Sequence, residues 1–138
     1  MQGADYAEEF DIAELEKTDP GTVLVFDDDS NLHPCKNPYD RRVAGVVSGG
    51  NDSNPGIILD KKPAKSGRLP IALSGKVYCR VDAQYSPIEI GDLLTTSPTL
   101  GHAMRAEELS KAFGAVIGKA MRPLREGKGL IPVLVSLQ

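Results

Sequence analysis

The sequence predicts an all-β domain, a compact barrel or sandwich of about nine short strands with one or two short helical turns. Three observations carry this. Turn signals recur every ~8–12 residues along the chain. Fourteen Gly and ten Pro are more than a helical bundle tolerates. Residues 69–82 alternate between apolar and polar, the period of two that marks a half-buried strand.

The 138 residues fit a single β domain, 1–138, read as an acidic N-terminal hook (1–17) and a β core (18–138). Hydrophobic residues make up 41% of the chain but aromatics only 5%, with no Trp, so Val, Ile, Leu and Ala must build the core.

The hook is the one strongly acidic segment. Asp5, Glu8, Glu9, Asp11, Glu14 and Glu16 surround Tyr6, Phe10, Ile12 and Leu15, which reads as a short helical turn over 8–15 and then a loop. Thr18-Asp19-Pro20-Gly21 makes a tight turn. Thr22-Val23-Leu24-Val25-Phe26 is a β-branched, apolar strand that ends at Asp27-Asp28-Asp29-Ser30-Asn31. That run lacks the glycine and distal Glu of a calcium loop and reads as a solvated hairpin turn. Residues 42–48 form the next strand, a Gly/Asn/Pro loop leads to Ile57-Ile58-Leu59, and 61–68 is a basic surface loop.

In 69–82, Leu69, Ile71 and Leu73 share a face, and Val77, Cys79 and Val81 share a face after a phase break or bulge at Gly75. Residues 88–94 enter a strand through a Gly-Asp turn, 102–106 are extended, and 107–112 make one helical turn. Residues 113–121 and 130–137 finish as apolar strands. The expected core is Val46, Ile71, Leu73, Val77, Cys79, Val81, Leu93, Val116, Val133 and Val135. In the closing strand Ile131, Val133 and Val135 alternate with Leu130 and Leu134. It is apolar on both faces, so it is either central in the fold or covered by another subunit.

The charge excludes some classes. A net charge of −3 and a pI near 5.4 argue against a nucleic-acid partner. The basic residues Arg41, Arg42, Lys61, Lys62, Arg122, Arg125 and Lys128 are scattered and read as solvated turn residues. No run approaches the ~18 apolar residues of a membrane helix, so no membrane insertion is expected. Residues 1–5 lack the basic and apolar regions of a signal peptide, which implies cytoplasmic synthesis or a longer parent carrying the address.

Few residues offer chemistry. Cys35 and Cys79 with His33 and His102 form no CxxC or HxxxH pair, so no metal is expected. A Cys79–His102 nucleophilic pair is disfavoured because Cys79 lies on the inward face of its strand. Both a Cys35–Cys79 disulfide and two free thiols fit the sequence, the free thiols better. The glycine stretches 45–50 and 114–119 lack a GK[ST] ending and read as strand positions for a bulge or close approach, so no cofactor is expected. Asp5 and Glu8 are three apart and would share one face of a helical turn. Two close carboxylates separate their pKa values into an acid and a base, the minimum for cleaving a peptide bond.

Gly3-Ala4-Asp5-Tyr6-Ala7-Glu8-Glu9-Phe10 resembles the opening of the C-terminal autoproteolytic chaperone domains (glutamic-peptidase type) of phage neck-appendage and tail-fibre proteins. Val43-Ala44-Gly45-Val46-Val47-Ser48, Leu73-Ser74-Gly75-Lys76-Val77, Ile90-Gly91-Asp92-Leu93-Leu94-Thr95-Thr96-Ser97 with Gly101 and Ala103, and Gly114-Ala115-Val116-Ile117-Gly118-Lys119-Ala120 extend the resemblance over most of the chain. It implies a homotrimeric intramolecular chaperone at the end of a virion or extracellular fibre, cytoplasmic during assembly, whose partners are itself and an upstream fibre segment. It also implies Asp5 and Glu8 as a catalytic pair cutting the Ala4–Asp5 bond once, in cis.

The leading expectation is therefore a structural assembly module with no metabolic activity. The alternatives are that self-cleaving enzyme, a capsid or surface decoration protein, and a small-ligand or glycan-binding barrel resting on Tyr39, Tyr78 and Tyr85. The expected interface is the closing strand with the segment around Tyr6 and Phe10.

Overall fold

The computed structural model describes residues 5–11, 18–49 and 68–138, with side chains placed over 18–49 and from 70 onward. Among these residues the strands are β1 (Asp5–Asp11), β2 (Val23–Phe26), β3 (Leu32–Pro34), β4 (Val43–Val47), β5 (Arg68–Asp82), β6 (Leu93–Thr96), β7 (Ala103–Arg105), β8 (Val116–Ala120) and β9 (Lys128–Ser136). The only helix described is α1 (Leu109–Ala112), so the fold is all-β, as expected. The strand expected at 57–59 and most of the basic loop at 61–68 lie outside the described residues.

β5 organises the molecule. Its C-terminal half pairs antiparallel with β9 from Ser74↔Ser136 to Asp82↔Lys128. The order then runs β9, β8, β6, β7, and β7 returns to β5 through one parallel pair, Val81↔Ala103. These five strands form a closed barrel. The N-terminal half of β5 leaves the barrel and pairs with β1 on one side and β4 on the other, and β4, β2 and β3 continue that side sheet.

The reversal of face that the sequence places near Gly75 is present. Gly75 has φ +86°, a backbone state that costs glycine little and other residues more. Opposite β1 the register jumps from Tyr6↔Ser74 to Ala7↔Ala72, leaving Leu73 as the extra residue. As a result Ala72, Val77, Cys79 and Val81 join the main core, whereas Ile71 and Leu73 join a second cluster with Leu24, Leu32 and Val47. The main core also takes Val23, Val43 and Val46 from the side sheet, which therefore has apolar residues on both faces.

The barrel seam between β8 and β9 depends on Gly118. A Cβ there would collide with the Leu134 carbonyl.

Two elements differ from the sequence expectation. Residues 5–11 are a strand and not a helical turn, because β5 supplies a ladder partner that local composition does not reveal; Ile12 to Leu15 lie outside the described residues. β3 is an additional short strand, paired with β2 through Phe26↔Leu32, Val25↔His33 and Leu24↔Pro34. Of the expected core, Leu73 and Leu93 are half-buried and the other eight are buried.

Candidate functional site

Asp5 and Glu8 sit on β1, opposite Gly75 and Ile71 of β5. The backbone is extended, so the shared-face argument, which belongs to helical spacing, does not apply to them. Ala4 and the Ala4–Asp5 bond lie outside the described residues.

The thiols are free and buried. Cys35 donates to the His102 carbonyl at 3.3 Å and Cys79 to the Arg80 carbonyl at 3.4 Å. Burial pushes Cys35 up to about 11 and raises Cys79 further. Both keep their protons near neutral pH, which makes them packing residues and not nucleophiles. The His102 ring contacts the Leu100 carbonyl through Nδ1 at 2.8 Å. Among the described residues no three His, Cys, Asp or Glu side chains are arranged to hold a metal ion.

The Asp27–Asn31 run is the hairpin turn between β2 and β3. Asp27 Oδ1 accepts from the Asp29 and Asn31 amides, each at 2.9 Å, and Oδ2 meets His33 Nε2 at 2.6 Å. The Leu94-Thr95-Thr96-Ser97 motif also has a structural role. Thr95 donates to the Ala115 carbonyl at 2.7 Å. Thr96 donates to the Asn37 carbonyl at 2.7 Å and accepts from the Asp40 amide at 2.8 Å. Ser97 donates to the His102 carbonyl at 2.6 Å. These hydroxyls tie three separate loops to one barrel strand.

Two surface features remain. The first is the outer face of β9. Register sets Leu134 between Lys76 of β5 and Lys119 of β8, Pro132 opposite Tyr78, and Leu130 opposite Arg80. Leu134 is 47% exposed although it has a strand on each side, and Leu130, paired with β5, is 43% exposed. Met121, beside Pro132 through its amide, is also exposed. Pro132 between the two leucines is buried, so the exposed apolar atoms are those of Leu130, Leu134 and Met121, with cations beside them. The second is an open cleft between the β2–β3 hairpin and the loop that follows it. Sequence reasoning identified the first from the alternation in β9. It missed the second, whose walls come from four places in the chain.

No family model matches the chain, and no curated protein matches it. Among solved structures it is similar to the head fiber gp8.5 N base in bacteriophage phi29, with 18% identity and a TM-score of 0.48, over 95% of this chain and 93% of that one.

Proposed function

We propose that this domain is a structural assembly module that self-associates, most simply as a trimer, at the end of a phage-like or extracellular fibre. The observation that carries the reading is the outer face of β9. A sheet face turned to solvent would ordinarily show polar residues, and here it shows Leu134, between β5 and β8, and Leu130, beside β5. Apolar sheet surface of this kind is an aggregation hazard unless a specific partner covers it. Identical chains closing on themselves give cyclic symmetry. The number three and the fibre are what the resemblance of 3–10, 43–48, 73–77, 90–97 and 114–120 to phage-fibre chaperone domains implies.

Light scattering on the eluting protein at micromolar concentration tests the reading. The expected mass is three times 14.8 kDa, and Leu134→Asp should yield a monomer with an unchanged circular dichroism spectrum, since Leu134 points to solvent. A wild-type monomer would overturn the proposal.

A further inference from the structure

We infer that the cleft beside the β2–β3 hairpin is a binding site for a neutral saccharide. The cleft has a volume of about 410 Å³, within the ~300–1,000 Å³ of small-molecule sites. Phe26 and Asp27 form one wall, Lys36, Asn37 and Asp40 another, and Leu100 closes it from the β6–β7 turn.

The walls are held in place before any ligand arrives. On the hairpin side, Asp27 binds two amides and the His33 ring. On the loop side, buried Thr96 grips the Asn37 carbonyl and the Asp40 amide. Asp40 Oδ1 accepts from the Arg42 amide at 2.9 Å. Between them Tyr39 sits at φ +53°, a left-handed state that a non-glycine residue keeps only where its surroundings hold it. Preorganised walls reduce the ordering cost of binding.

What remains unpaired in the cleft decides the ligand class. The Lys36 ammonium and the Asn37 amide make no hydrogen bond or ion pair with any described residue. The Asp40 carboxylate has accepting capacity left after its one amide. Exposed donors and acceptors side by side suit hydroxyl groups, each of which is both. Asp27, against the His33 ring, and Asp40 share the cleft with Lys36 and with Arg42, whose guanidinium pairs with Asp28 at 3.0 Å, so a charged ligand of either sign meets a like charge as well as an opposite one. Phe26, 41% exposed, and Leu100, 47% exposed, offer the apolar surface against which the C–H face of a sugar ring packs. Tyr39, Tyr78 and Tyr85 do not line this cleft.

The test is a ¹⁵N–¹H NMR titration of the intact chain with glucose, galactose, mannose and N-acetylglucosamine at millimolar concentrations. N-acetylneuraminic acid and inorganic phosphate serve as anionic probes. Saturable shifts at the Phe26, Asn37 and Leu100 amides are expected with at least one neutral sugar. Phe26→Ala and Asn37→Ala should each weaken that binding by about tenfold, with the rest of the spectrum unchanged. The inference is overturned if no neutral sugar gives saturable shifts there, if only the anionic probes do, or if both variants bind like wild type.

Discussion

The barrel half of β5, from Lys76 to Asp82, and its side-sheet half, from Arg68 to Leu73, are one strand that buries opposite faces. In the barrel half Val77, Cys79 and Val81 point into the main core. In the side-sheet half Ile71 and Leu73 pack into the second cluster, and Ala72 between them takes the main-core side. A strand that kept its phase would put Ile71 and Val77 on one face. A one-residue slip exchanges faces, and the extra Leu73 with the turn of backbone at Gly75 supplies it. One continuous strand can thus close a barrel and found a second sheet without a connecting loop.

The barrel half is most vulnerable at its β8–β9 seam. Gly118→Ala would drive its Cβ into the Leu134 carbonyl, and the obstacle is backbone that cannot rotate away. A loss above ~4 kcal/mol is expected, read as the absence of a cooperative thermal transition. A melting temperature within a few degrees of wild type would mean that β8 and β9 do not meet as described.

The two clusters can be weighed directly. Ile117, fully buried in the main core, and Ile71, fully buried in the second cluster, should each cost ~2–5 kcal/mol on truncation to Ala. Both variants should still melt in one step, because Ala72, Val23 and Val46 bind the side sheet into the barrel core. A two-step melt in Ile71→Ala would show that the side sheet is an independent unit.

The strands that carry their own pattern were legible. Residues 69–82 show alternation and a glycine at the reversal, and Val116, Val133 and Val135 fall on buried faces. β1 was not legible, because its acidic composition suits a helix start and its extended state comes from β5, some sixty positions away. β3 has three residues, one of them Pro, and only the hairpin geometry makes it a strand. The exposed leucines on β9 were legible because they follow from period two. The cleft was not, since Phe26, Lys36, Asp40 and Leu100 are brought together by Thr96 and the barrel turns.

A finer test addresses the reversal itself. Gly75→Ala forces a side chain into φ +86° at a cost of ~1–3 kcal/mol. The fold should survive, because the ladders on both sides of the bend still hold β5. An increase in stability would mean that the bend does not require the left-handed state.

The smallest effect contrasts the halves by acid. Each contains an aspartate held below its ordinary value of 3.8. Asp82, fully buried at the barrel end of β5, is pushed up by burial. That push is outweighed by its bonds from the Gln84 amide at 3.0 Å, Gln84 Nε2 at 2.6 Å and the Thr99 hydroxyl at 2.7 Å. Asp27, at the side-sheet hairpin, is lowered chiefly by the His33 ring and then by the Asn31 amide. A carboxyl with a lower pKa folded than unfolded leaves the unfolded chain holding more protons, so stability rises with pH across that interval. The contribution is complete above 3.8 and is lost as pH falls through the folded values. Asp82→Asn should therefore lower the melting temperature at neutral pH and flatten its decline below about pH 4. Asp27→Asn should do the same more weakly, because its pair faces solvent and is screened. An acid limb for Asp82→Asn running parallel to wild type would mean that this carboxylate does not hold the barrel end.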